Sequence, residues 1–162
     1  MKGYARFAAM IATSTIVMYF LMFLNVFKFN HFTLSETRIY MALLMGSCMS
    51  IIMMLFMWKM HKKRAVNFAI LGTSAVVFAL SLWLVRSQTT VEDTSFMKSM
   101  IPHHSIAILT SERANFSDPR VQKLADEIVK TQEKEIAEMK KLIKDIEEEK
   151  EKEDEKEDEK EE

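Results

Sequence analysis

The first half of the chain contains three long runs of apolar residues. Residues 7–27, 39–58 and 65–85 carry no charged side chain, although short charged segments separate them. A helix of about 20 apolar residues has the length needed to cross the ~30 Å hydrocarbon core of a bilayer. The pattern therefore predicts three transmembrane helices over these ranges, within a membrane anchor that comprises residues 1–86.

Residues 87–146 follow a different pattern, in which apolar side chains recur at the three- and four-residue spacing of an amphipathic helix. The apolar positions of its first helix are Phe96, Met97, Met100, Ile101, Ile106, Ala107 and Ile108. A turn follows, and Asp118 before Pro119 is a typical start of a second helix. We therefore predict an all-α fold in which three transmembrane helices precede an antiparallel helical hairpin.

The distribution of basic residues predicts the orientation in the membrane, because lysine and arginine concentrate in loops that stay in the cytoplasm. Six basic residues flank the spans on one side and two on the other: first Lys2, Arg6, Lys59, Lys62, Lys63 and Arg64, then Lys28 and Arg38. This arrangement predicts a cytoplasmic N-terminus and an extracytoplasmic hairpin, in a periplasm or on the outer face of a Gram-positive membrane.

The last segment, residues 147–162, contains twelve acidic residues, four lysines and no apolar side chain. Such a segment cannot bury apolar surface in a core. Its composition predicts either a fraying extension of the second helix or a disordered, solvated tail, with weak attraction of cations as an alternative role.

Sulfur and imidazole side chains gather in the hairpin. Two methionines and two histidines lie within eight residues of its first helix, and an amide, a carboxylate and a third methionine lie on the second: Met97, Met100, His103, His104, Gln132, Glu135 and Met139. Thioether and imidazole ligands suit copper, above all Cu(I), better than magnesium, calcium or a structural zinc. Antiparallel packing should bring Met100 and His104 near the level of Glu135 and Met139, which is compatible with one metal site.

These residues also have simpler interpretations. A methionine on an apolar helix face is commonly core packing, and an adjacent histidine pair can be polar surface. Pro102 removes one helical hydrogen bond, which leaves either a tolerated kink or a bend that aims His103 and His104. The second span carries a methionine ladder beside Cys48 that could pass Cu(I) or could be flexible packing. Its members are Met41, Met45, Met49, Met53 and Met57.

No catalytic set is visible in the sequence. It lacks the Glu-x-x-His pairs of di-iron bundles and the His-Glu-x-x-His helix of zinc hydrolases. It also lacks a nucleophile set, a glycine-rich phosphate loop and a nucleic-acid motif. We therefore expect no nucleic-acid partner, and an enzyme such as a cuprous oxidase is a third interpretation behind metal binding and partner docking.

The two helices share one extended motif. It reads Asp93-x-x-Phe96-x-x-x-Met100-x-Pro102-His103-His104, then Gln132-x-x-Glu135-Ile136-x-x-Met139. Over roughly residues 93–143 this pattern resembles the DUF305 family. The resemblance implies a ferritin-like helical bundle in a bacterial protein, with copper binding and copper tolerance outside the cytoplasm. It also implies that the seven sulfur, imidazole, amide and carboxylate residues named above are the metal positions.

Longer members of that family contain two such hairpins, whereas this chain has one. Two amphipathic helices bury little surface alone, so we expect a homodimer through the hairpin that forms a four-helix bundle. The expected function is copper sequestration or transfer at the bacterial cytoplasmic membrane, with the lipid bilayer and a copper-exporting or copper-accepting protein as partners. The alternative is a membrane interaction subunit without metal, whose hairpin docks a partner protein.

Overall fold

The computed structural model describes residues 2–24 and 26–161, and throughout that part the chain is helical, with no strand. The prediction of an all-α fold is confirmed. The chain divides into two compact units, one comprising Met1–Leu24 with Ser35–Val91 and the other Asn25–Leu34 with Glu92–Glu162. The second unit thus takes in a short loop that the sequence pattern had grouped with the membrane anchor.

The first unit consists of α1 (Lys2–Leu21), α2 (Glu36–Phe56) and α3 (Arg64–Ser87). All three helices are long and apolar enough to cross a membrane, which confirms the predicted number of candidate spans. Many of their large apolar side chains are exposed, including Phe20, Phe56 and Val76. Such surfaces are what a lipid environment would cover, so this unit is consistent with membrane association.

Helix α2 lies between the other two helices and packs against each of them. Gly46 permits a close approach to α1, because a Cβ at this position would clash with the side chain of Thr15. On the α3 side, Ser74 donates a hydrogen bond of 2.9 Å to Ser50. Small residues and hydroxyl pairs of this kind are the usual packing devices of helices in membranes.

The boundary between α1 and α2 differs from the predicted one. Helix α1 ends at Leu21, although the charge-free run continues to Phe27. Arg38, expected in the loop, lies within α2 and donates a 3.0 Å hydrogen bond to the carbonyl of Met22. Phe27, the last residue of the apolar run, packs against the core of the second unit and is not part of a span, which explains why the run is longer than the helix.

The second unit contains α4 (Asp93–Arg113) and α5 (Pro119–Glu161). The predicted start of α5 is confirmed, because Asp118 Oδ1 accepts a 2.8 Å hydrogen bond from the backbone N–H of Arg120. Helix α5 continues without a break through residues 147–161, so the described part of the acidic segment is the helical extension and not the disordered tail.

The core of this unit forms where α4 and α5 face each other. Its buried side chains are Met97, Ile101, Ile108, Ile136 and Ile143, with Phe27, Val129, Met139 and Ile146 packed at the edge. Ile101 and Ile108 are seven residues apart and therefore lie on one face of α4. The helical hairpin predicted from the spacing is thus present, with a contribution from the loop that precedes α2.

The loop is fastened to α4 by hydrogen bonds. The N–H of Phe27 donates to Ser105 Oγ at 2.7 Å, and the hydroxyl of Thr33 donates to the carbonyl of Lys98. That carbonyl is the one for which Pro102, four residues later, has no N–H. The loop therefore supplies the hydrogen bond that proline removes, and α4 runs unbroken through Pro102.

Candidate functional site

An open groove of about 470 Å³ lies between α4 and α5. Its lining residues are Asp93, Phe96, Met97, His104, Glu135, Glu138, Met139, Leu142 and Ile146. Most of this surface is apolar, with a small number of polar atoms. That composition is typical of a site where a few convergent polar groups select a ligand.

The groove contains four of the seven predicted site residues: Met97, His104, Glu135 and Met139. Met97 and His104 are seven residues apart, two helical turns, and so project from the same face of α4. Glu135 and Met139 are four residues apart on α5, one turn. Each helix therefore contributes one thioether and one nitrogen or oxygen donor to the groove.

His104 and Glu135 bring two polar groups close together across the groove. The distance from His104 Nδ1 to Glu135 Oε2 is 3.2 Å, and the imidazole is 16% exposed. Although the two atoms are close, Nδ1 is buried and makes no hydrogen bond within the described residues. The pair is close enough for an electrostatic interaction but is not aligned for donation.

The surroundings of His104 favour its neutral form. Burial lowers the pKa of the imidazole below its usual value of 6.5, and the charge of His103 lowers it further, while Glu135 acts in the opposite direction. A neutral imidazole carries the lone pair that a metal ion needs. The ring is therefore available as a ligand near neutral pH without first losing a proton.

The other three predicted residues lie outside the groove lining. Met100 and Gln132 are half-buried, and His103 is exposed. The rings of His103 and His104 lie 6.0 Å apart with a 60° angle between their planes, so the two neighbours are directed differently. On α4, Met100 is about 60° around the axis from Met97 and His103 about 120°, whereas His104 is only about 20° away.

Five groove residues were absent from the sequence prediction: Asp93, Phe96, Glu138, Leu142 and Ile146. Helical spacing could have indicated Glu138 and Leu142, which are one turn from Glu135 and Met139 on α5. Across residues 2–24 and 26–161, no three histidine, cysteine, aspartate or glutamate side chains are grouped in a way that could hold a metal ion. The groove is therefore lined by a mixed donor set of two thioethers, one imidazole and three carboxylates: Met97, Met139, His104, Asp93, Glu135 and Glu138.

The methionine ladder of α2 does not form a uniform buried stripe. Met41 is exposed, whereas Met45, Met49, Met53 and Met57 are only partly buried. The fully buried methionine of this helix is Met54, which is not part of the ladder. This distribution favours packing, rather than a continuous path of thioethers, as the role of the α2 methionines.

Comparison with known proteins adds a family to this architecture. Over the residues that the structure describes, the chain is all-helical, with three potential membrane helices followed by a helical hairpin. Residues 93–162 match a family model described as a domain of unknown function, DUF305. An uncharacterized protein of Acanthamoeba polyphaga mimivirus is 32% identical over 106 residues, which are 64% of this chain and 68% of that protein. The chain belongs to the DUF305 family, and no solved structure matches it.

Proposed function

We propose that the chain is a membrane-anchored, extracytoplasmic metal-binding protein that sequesters or transfers copper, with Cu(I) as the favoured ion. One observation carries the proposal: Met97 and His104 of α4 line the same groove as Glu135 and Met139 of α5. Two thioethers and a neutral imidazole form a donor set that suits Cu(I). A binding protein needs only ligand exchange, for which this set is sufficient.

The unsatisfied nitrogen of His104 supports this interpretation. A buried polar atom without a hydrogen bond costs about 1–3 kcal/mol, and His104 Nδ1 is such an atom within the described part of the chain. A metal ion bound to the ring nitrogen would remove that cost. Glu135 Oε2, 3.2 Å away, would supply negative charge beside the cation.

The loop between α1 and α2 supports the proposed orientation. This loop and the hairpin belong to the same compact unit. If α1, α2 and α3 each cross the membrane, the loop after the first span and the chain after the third emerge on the same side. The packing of Phe27 in the hairpin core is compatible with that topology. The basic residues predict that this side is extracytoplasmic.

Exposed apolar side chains of the same unit support the proposal of a homodimer. Phe96 and Leu142 line the groove and are 50% and 45% exposed, and Val121 and Leu124 are further exposed apolar side chains of α5. Apolar surface of this kind beside a groove is typical of an interface. A second hairpin related by a two-fold axis would cover it and complete the four-helix bundle that the family resemblance implies.

The test of the metal proposal is Cu(I) affinity of the full-length protein in detergent, with zinc and iron as competitors. Replacement of the groove ligands in His104→Ala/Met139→Leu should lower the affinity at least about tenfold, equivalent to about 1.4 kcal/mol. The matched control is His103→Ala/Met100→Leu, which removes the same two side-chain types from outside the groove lining and should change the affinity less than about twofold.

Equal losses in the two double variants would contradict the groove as the site. Failure of the native protein to retain copper would favour the second candidate function, an interaction subunit whose hairpin docks a partner protein. The observation that favours this candidate is the predominantly apolar lining, in which Phe96 and Leu142 are both exposed. A cuprous oxidase would in addition oxidise many equivalents of Cu(I) per protein with oxygen. An assay that follows the consumption of excess Cu(I) over time would measure this activity.

A further inference from the structure

A second, smaller pocket lies where the loop before α2 packs against α5. Its volume is about 210 Å³, and its lining residues are Lys28, His31, Glu133, Ile136, Ala137 and Lys140. None of them lines the groove that contains His104. The pocket is therefore a separate site within the same unit, built by the loop and one face of α5.

His31 forms the buried wall of this pocket. It is only 6% exposed, and its Nδ1 lies 2.8 Å from Ser105 Oγ. Ser105 already accepts the N–H of Phe27, so its own proton is available for His31 Nδ1. When Ser105 donates that proton to Nδ1, the ring proton of His31 is on Nε2. The ring nitrogen that remains for the pocket is then an N–H donor.

Two lysines bring positive charge to the same place. Lys28 of the loop and Lys140 of α5 both line the pocket, so two ammonium-bearing side chains border one concave surface. Burial also lowers the pKa of His31, with contributions from Lys140 and then Lys28, whereas Glu133 raises it. Both ammonium groups therefore act on one imidazole. Glu133 offsets Lys28 only loosely, because their closest nitrogen and oxygen atoms are 4.0 Å apart and both side chains are more than half exposed.

We propose that this pocket binds a phosphate-type anion, held by the ammonium groups of Lys28 and Lys140 and by the Nε2–H of His31. Two point charges and a fixed N–H donor around a concave site are the chemistry that recognises phosphate. Glu133 weakens this binding through like-charge repulsion. The anion is either free inorganic phosphate or the headgroup of an anionic lipid, since Lys28 lies in the short loop between α1 and α2. The proposal does not depend on the metal proposal.

The test uses the full-length protein in nanodiscs of neutral phosphatidylcholine, titrated with inorganic phosphate. A second arm uses nanodiscs with equal amounts of phosphatidylcholine and phosphatidylglycerol, and native mass spectrometry counts the lipids that the protein retains. The variants are Lys140→Gln, Lys28→Gln and Glu133→Gln. The matched control is Lys144→Gln, which removes an exposed lysine of α5 that pairs with Glu148 outside the pocket.

Saturable phosphate binding in neutral nanodiscs supports the free ion as ligand, and selective retention of phosphatidylglycerol supports the lipid headgroup. In either arm we expect the affinity to fall about tenfold in Lys140→Gln and about threefold in the more exposed Lys28→Gln. In Glu133→Gln the affinity should rise about threefold, whereas a variant that simply destabilises the fold would lose affinity. The proposal would be overturned if the native protein bound neither inorganic phosphate nor phosphatidylglycerol. It would also be overturned if Lys144→Gln lost as much affinity as a folded Lys140→Gln or Lys28→Gln variant.

Discussion

Two of the three histidines in the second unit, His31 and His104, have opposite hydrogen-bonding states. His31 is nearly inaccessible, and its Nδ1 lies 2.8 Å from the hydroxyl of Ser105. His104 adjoins Ser105 in the chain, yet its buried Nδ1 has no hydrogen bond within the described residues. Burial lowers the pKa of both rings. The difference therefore lies in the partner of Nδ1. The Nδ1 of His31 helps to hold the loop against α4, whereas the Nδ1 of His104 is unpaired within the described residues.

The largest expected effect on stability is that of Ser105→Ala. Ser105 is fully buried and serves both Phe27 N–H and His31 Nδ1. Its loss should leave two buried polar groups unsatisfied and lower the free energy of unfolding by about 2–4 kcal/mol. Chemical unfolding of the detergent-solubilised protein measures the change. Ser99→Ala is the control, because Ser99 Oγ donates only to the carbonyl of Phe96 on its own helix. A loss equal to that of the control would mean that the loop is not held through Ser105.

A smaller effect is expected at the second hydrogen bond between the loop and α4. Thr33→Val removes the hydroxyl that donates to the Lys98 carbonyl, which should cost about 1 kcal/mol because Pro102 offers that carbonyl no N–H. In a Pro102→Ala background residue 102 regains its N–H, and the cost of Thr33→Val should largely disappear. Equal costs in both backgrounds, measured by a double-mutant cycle, would show that Thr33 does not compensate for the proline.

The acid sensitivity of the hairpin should depend in part on His31. Burial, Lys140 and Lys28 lower its folded-state pKa below the ordinary value of 6.5, and Glu133 opposes them. The unfolded chain then binds the proton more readily, so this contribution is present above pH ~6.5 and is lost as pH falls through the lower folded pKa. In His31→Gln this part of the pH dependence should vanish in unfolding curves collected between pH 7.5 and 5. If the free energy of unfolding of His31→Gln changed with pH as steeply as that of the native protein, this role of His31 would be contradicted.

The pattern of the sequence predicted much of this architecture, for reasons that are local. Charge-free runs indicated three candidate spans, and Asp118 before Pro119 marked the start of α5. Helical spacing also placed Met97 with His104 on one face. The loop between α1 and α2 could not be predicted in this way. No local signal in the sequence indicates that Phe27, at the end of an apolar run, packs against the core formed by α4 and α5. His103 lies outside the groove because it projects about 120° around the helix axis from Met97. Met100 shares the face of His104 by spacing, yet it is not part of the groove lining, and the spacing alone did not indicate this.

The smallest expected effect concerns His104 itself. His104→Leu replaces a ring with an unsatisfied nitrogen by an apolar side chain in a largely apolar groove. In metal-free protein the free energy of unfolding should therefore stay the same or rise by up to about 1 kcal/mol. The same variant should lose copper affinity, because the imidazole donor is gone. A loss of stability like that expected for Ser105→Ala would mean that His104 is a structural residue. A stable variant that no longer binds copper would mean that its nitrogen is left unpaired for the metal.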